Sequence, residues 1–191
     1  PNRLAPLLAA RGEALVALGR LSEAGADIEQ SVHLMPGTGD RIIRGIRAVR
    51  RHYWAATGKA DAALQDLAGD PVKPGETDTP VKRLWWHVEE AMLQLAAGRD
   101  TDARDTATAT LAAISQRPDR RFFAVAQAQM TAVLGQALLH EGRFSESVEL
   151  LKKALALHLE THSAKPSREV GQLREALAEA QRRVNQAPAG I

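Results

Sequence analysis

An all-α fold made of repeated helix-turn-helix units is what this sequence predicts, on three observations. The 191 residues include 35 Ala and 23 Leu against 6 Ile and 11 Val. Ala and Leu favour helices, while the β-branched residues that favour strands are scarce. A six-residue pattern recurs four times at near-constant spacing. Apolar residues on either side of each copy fall at helical i, i+3, i+4 and i+7 intervals. This composition excludes an all-β domain and disfavours an α/β one. Aromatics are only 4% of the chain, which suits helices packed closely in layers.

The four copies begin at Gly19, Gly58, Gly98 and Gly142, so they lie 39, 40 and 44 residues apart. The shared pattern is Gly, a basic residue, any residue, Ser/Thr/Asp, any residue, then Ala or Ser. Gly can take the left-handed conformation that ends a helix. The basic residues Arg20, Lys59, Arg99 and Arg143 would sit near the free carbonyls of that helix end, where positive charge is favoured. Ser22, Asp61, Thr101 and Ser145 are good N-caps for the helix that follows. Ala24, Ala63, Ala103 and Ser147 are small enough for two helix backbones to approach. Each copy reads as a tight turn between antiparallel helices.

The elements follow in order. First helices carry Leu8, Leu15 and Leu18; Ile42, Ile46, Val49 and Tyr53; Trp85, Val88, Met92 and Leu95; and Val125, Leu134 and Leu138. Second helices carry apolar stretches at 28–34, 64–67, 107–114 and 148–159. A terminal helix over about 167–184 has Val170, Leu173, Leu177 and Val184 on one stripe, with Ser167 as cap and Pro166 as the break before it. Residues 69–82 hold Pro71, Pro74, Gly75 and Pro80 and form the longest gap between helices. Two Ala/Leu helices cannot bury their faces alone, whereas stacked pairs can.

Charge and motifs narrow the function. The net charge is +2, with 25 Lys and Arg against 23 Asp and Glu, a weak electrostatic reason to expect nucleic acid or membrane binding. No cysteine is present, which removes disulfides, Cys-ligated zinc and thiol nucleophiles. No uninterrupted apolar run reaches the roughly 18 residues of a spanning helix, and no signal peptide is visible, so the chain is expected in the cytoplasm. It begins Pro1-Asn2 without Met, which predicts a piece of a longer protein.

The repeats resemble the tetratricopeptide-repeat (TPR) family. In the first unit Leu8, Gly12, Leu15, Gly19, Leu21, Ala24 and Pro36 stand at that family's pattern positions, and in the fourth Leu134, Gly135, Leu138, Phe144, Ser147 and Ala154 do so. The second and third match mainly at the turn, and Arg50 or Arg51 falls where a small residue belongs. The spacing exceeds the family's usual length of about 34 residues and is similar to the longer variety of bacterial regulatory proteins. HEAT-like repeats have a compatible length. The resemblance implies a single array over 1–191, with units at about 5–38, 41–68, 83–116 and 121–161, wound as a right-handed superhelix with first helices lining a concave groove. Carried over, the groove positions are Ala9, Glu13 and Val16; His52; Trp85, Val88, Glu89 and Met92; and Gln129, Ala132, Gln136 and His140. Ala9, Glu13 and Gln129 stand where cations and amides of the family's carboxylate clamp would be, so a chaperone-tail receptor is not expected.

Other motifs read blandly. His158 and His162 are spaced to chelate a metal, but Glu160 lies about 200° round a helix from His158 and cannot serve as a zincin base; a solvated helix end is the plainer reading. Gly37-Thr38-Gly39 lacks the strand and lysine of a phosphate loop and reads as a turn. Asp100, Asp102 and Asp105 lack the glycine and distal Glu of a calcium loop and suit a helix N-terminus. No nucleophile elbow is present. No cofactor, metal site or enzymatic activity is expected.

Arg41, Arg44, Arg47, Arg50 and Arg51 form a basic helix face. It would either be solvated beside nearby acids or touch an acidic partner, phosphates or RNA. Trp85 and Trp86 lie about 100° apart on a helix, so one is expected to pack and the other to be a possible ligand anchor. The function expected is a non-catalytic interaction module holding a peptide or helix of a partner protein, within a longer bacterial regulator, the source being suggested by the Ala/Arg/Leu bias. The alternatives are a ligand- or peptide-sensing regulatory domain and RNA binding through residues 41–51.

Overall fold

A computed structural model describes residues 3–35, 41–70, 74–75, 79–161 and 168–186. Among these residues there are nine α-helices and no strand: α1 (Leu4–Ala17), α2 (Leu21–Leu34), α3 (Arg41–Ala56), α4 (Ala60–Ala68), α5 (Pro80–Ala96), α6 (Asp100–Ser115), α7 (Ala124–His140), α8 (Phe144–Thr161) and α9 (Arg168–Gln186). A 3-10 turn, Arg120–Phe123, leads into α7. The chain forms two compact units, Pro1–Thr79 and Pro80–Ile191, which divide within the proline-rich gap. Pro36, the Gly37–Gly39 turn, His162, Pro166 and Ser167 lie outside the described residues.

All four turn glycines have positive φ, between 70° and 79°. At the first, Arg20 N–H donates to Leu15 O at 2.9 Å and Gly19 N–H to Val16 O at 3.0 Å, closing a Schellman motif. The other three turns repeat these bonds, with Lys59 to Trp54, Arg99 to Gln94 and Arg143 to Leu138. The next helix starts at once. Ala24 N–H already donates to Arg20 O, and the cap positions of α2, α4 and α6 belong to Arg20, Lys59 and Arg99 without side-chain capping bonds. Ser22, Asp61, Thr101 and Ser145 are therefore second residues of their helices, not N-caps, because glycine and the basic residue complete the reversal between them. The side chains of Arg20 and Arg143 also depart from expectation. They reach forward to Glu23 and Glu146 in two-pronged bonds of 2.6–2.8 Å rather than back to the helix carbonyls.

Close packing rests on small residues in fixed columns. Ala24, Ala63, Ala103 and Ser147 are fully buried. Seven residues before each turn glycine stand Gly12, Arg51, Ala91 and Gly135. A Cβ on Gly12 would lie 2.5 Å from Ile28 Cγ1, and one on Gly135 3.0 Å from the Leu151 side chain. Both neighbours are fully buried, and each contributes about 1.5–3 kcal/mol by leaving water. Ser147 Oγ adds a buried bond to Gly135 O at 2.8 Å, tying α8 to α7.

In the first unit, Leu15, Ala24 and Ile28 form the centre, with Val49 and Tyr53 against it. Arg11 binds the buried carboxylate of Asp27 through two nitrogens, joining α1 to α2. That bond holds the Asp27 carboxyl below its ordinary range. In the second unit, Leu84, Val88, Ala107, Ile114, Phe123 and Met130 belong to one core cluster, and Leu151, Ala154 and Leu173 to another. Arg104 clamps Glu141 at 2.8 and 2.9 Å, and His140 Nδ1 lies 2.8 Å from Asp100 Oδ1, so α6 is pinned to the end of α7. Leu18, read as a core residue from its spacing, is exposed beside the turn. Arg120–His140 is long and apolar enough by length and composition to cross a membrane. Its buried face packs as the central core helix of the second unit.

Candidate binding grooves

Each unit carries a groove along its first helices. In the first unit a hollow of about 570 Å³ runs between α1 and α3. Its lining includes Pro6, Ala9, Ala10 and Glu13 from α1, and Gly45, Ala48, Val49 and His52 from α3. These residues stand 13, 10, 9 and 6 positions before Gly19 and Gly58 respectively. In the second unit a groove of about 370 Å³ is lined by Gln129, Ala132, Val133 and Gln136 of α7, the same four columns counted back from Gly142. Met92, Leu95 and Ala96 of α5 form one wall, and His158 of α8 with Glu169, Gln172 and Leu173 of α9 form the other.

The columns follow from helix geometry. Positions 3, 4 and 7 apart share one face, and the seventh residue before the glycine is turned onto the second helix of the same pair. The groove face is what remains, with Ala9, Ala48 and Ala132 in one column. Gln129 Oε1 is buried in the second groove with no hydrogen-bond partner among the described residues. Glu169 is 53% exposed, with His158 Nδ1 at 3.9 Å.

Solved structures share this arrangement. Two crystal structures from Podosopora anserina, of a kinesin light chain-like protein with nearly identical TPR-like repeats, superpose over 97% of this chain and 87% of theirs. One has a TM-score of 0.58 at 20% identity, and the other 0.56 at 22%. The fold is TPR-like. No family model and no curated protein matches the sequence.

Of the groove residues carried over from the TPR pattern, Ala9, Glu13, His52, Met92, Gln129, Ala132, Gln136 and His140 line these two hollows. Val88 does not. It is 3% exposed and belongs to the core cluster of the second unit with Leu84, Ala91 and Ala107. Val16 packs on the Leu15, Ala24 and Ile28 cluster. Trp85 is 42% exposed and Glu89 half-buried, and neither lines either groove. Leu95, Ala96, Glu169 and Gln172 were not singled out by the pattern. The last two come from the terminal helix, flanking its Val170 and Leu173 stripe, which is the signal that could have found them. His158 is buried in the groove wall rather than solvated.

The arginine ladder faces inward. Arg51 is 2% exposed, with Nη1 3.0 Å from both Asp66 Oδ2 and Asp70 Oδ2. Arg50 binds Asp66 at 2.7 Å and lies over the Trp54 ring at 4.6 Å, and Arg47 reaches Asp70 at 3.4 Å. Arg47 and Arg51 are thus engaged by acids of their own unit, and Arg51 occupies the buried small-residue column. Arg44 is half-buried with its Nε unpartnered, and the Arg41 side chain lies outside the described residues.

A third hollow, about 620 Å³ between α5 and α6, contains Arg83, His87, Glu90 and Arg117. Its polar groups answer one another: His87 lies 3.1 Å from Glu90, and Arg117 binds Asp119 at 2.8 Å while covering Phe123. No group of three His, Asp or Glu able to hold a metal occurs among the described residues.

Proposed function

We propose that this chain is a non-catalytic docking module whose grooves hold a peptide or helix of a partner protein. The recurrence of the same four helix columns as groove lining in both units, one of them alanine in all three helices, carries this reading. TPR-like repeats generally serve as scaffolds for protein contacts, and grooves of this size suit side chains of a bound segment. The module belongs, on this reading, to a longer bacterial regulator working in the cytoplasm.

Blocking the grooves tests the proposal. Ala10 and Ala96 are exposed at their rims, so Ala10→Trp and Ala96→Trp fill the hollows while leaving the cores alone. Pull-downs from the source cell should lose a specific partner with one or both variants while their circular dichroism stays wild-type. An identical set of bound proteins for wild type and both variants rules the grooves out.

A further inference from the structure

We propose that the groove of the second unit selects a cationic segment, a stretch of partner chain bearing Lys or Arg among small apolar residues. This rests on the groove reading above and adds the chemistry of the occupant.

The charge of the lining points one way. Among the twelve described residues of its lining the one carboxylate is Glu169, and none is Lys or Arg. Glu169 stands half open to solvent. His140 already faces Asp100, so an acid lies behind the histidine on that side as well. Gln129 and Gln136 bring amides, and no further charge, to the lining. Ala132 and Val133 give a low apolar floor, with Ala96 at its rim, along which the methylene stem of a lysine or arginine can lie, its head reaching the carboxylate. The groove of the first unit repeats the character on its own: Glu13 is its one charged lining residue, with no Lys or Arg among the ten. Several arginines elsewhere in the chain are tied to internal acids, as Arg104 is to Glu141 and Arg51 to Asp66 and Asp70. An acidic peptide or a free C-terminal carboxylate would meet Glu169 with no Lys or Arg among the described lining residues to hold it.

The test uses three fluorescein-labelled 16-residue Ala/Leu helical peptides, identical except for four positions that carry Lys, Gln or Glu. Binding to the whole chain is read by anisotropy at low salt. The chain's net charge of +2 would by itself favour the Glu peptide, so a preference for Lys reports the groove. The Lys peptide should bind at least about tenfold tighter than the Glu peptide, the advantage falling as salt rises. Glu169→Gln should weaken it about threefold, the size of a rim ion pair, and Glu169→Lys should shift preference towards the Glu peptide. Equal or tighter binding of the Gln or Glu peptide, or an unchanged preference in Glu169→Lys, overturns the cationic assignment. If Ala96→Trp still blocks the bound peptide in that case, the groove reading survives. If no peptide binds by about millimolar concentration, or Ala96→Trp changes nothing, the groove reading fails and this inference fails with it.

Discussion

Replacing Arg51 with methionine probes the least TPR-like position in the first unit. Its column holds Gly12, Ala91 and Gly135 in the other helix pairs, yet here a guanidinium with a 3% exposed side chain bridges two carboxylates, one of them 1% exposed. Methionine keeps the stem and removes the charge. Breaking a buried ion pair by removing one partner costs about 3–5 kcal/mol, since the other charge is stranded. Asp66 keeps Arg50 at 2.7 Å and Asp70 keeps Arg47 at 3.4 Å, which places the loss near the lower end, about 3 kcal/mol. With a urea slope of about 2 kcal/mol per molar, the midpoint should fall by about 1.5 M. Trp54, stacked beneath Arg50, reports the transition when Trp85 and Trp86 are changed to Phe. Adding Asp70→Asn to Arg51→Met should return part of the loss by removing the buried carboxylate that has lost Arg51. A loss under about 1 kcal/mol, or an Asp70→Asn cost that adds in full, would refute a desolvated charge network and leave only a solvated one.

Other positions give independent checks. Gly12→Ala should destabilise by about 1–2 kcal/mol in urea melts, because the new methyl meets buried Ile28 and the overpacking outweighs better helix propensity. Gly171→Ala, in α9 with nothing within 4 Å of the added Cβ, should raise stability by up to about 1 kcal/mol; a loss there would mean that the surroundings of α9 differ from those described. Ser147→Ala removes a buried hydroxyl bond to Gly135 O and should cost about 1 kcal/mol. Asp27 has a folded pKa below its unfolded value, so the folded state binds fewer protons and the Asp27 contribution is fully present above the unfolded pKa of about 3.9. It is lost as pH falls through the folded value, so the stability gap between wild type and Asp27→Asn should narrow from pH 5 to pH 2. A gap that widens over this range contradicts the assignment.

How much of this was legible in the sequence depends on whether a residue answers to its own helix or to another one. The turn glycines and the buried Ala24, Ala63 and Ala103 were readable, because positive φ and close approach leave few residue choices. Of the groove linings, Ala9, Glu13, His52, Gln129, Ala132 and Gln136 were expected from the TPR resemblance, whereas Pro6, Ala10, Ala48 and Val133 were not. The burial of Val88 was not readable, since a column states which way a side chain points and not whether a neighbour covers it. The wall from Glu169 and Gln172 depends on how α9 returns onto α7, which no local pattern encodes. The arginine ladder lies between these cases. Arg47 and Arg51 are four apart on one helix, and Asp66 and Asp70 are four apart at the end of the next. Like charges at that spacing repel, so each pair is unfavourable alone. A turn at Gly58 folds the two segments antiparallel, which brings each unfavourable pair onto its complement. The basic face, which the sequence left open between nearby acids and an outside partner, has acids one helix away, and the column that should have held a small residue is where the two meet.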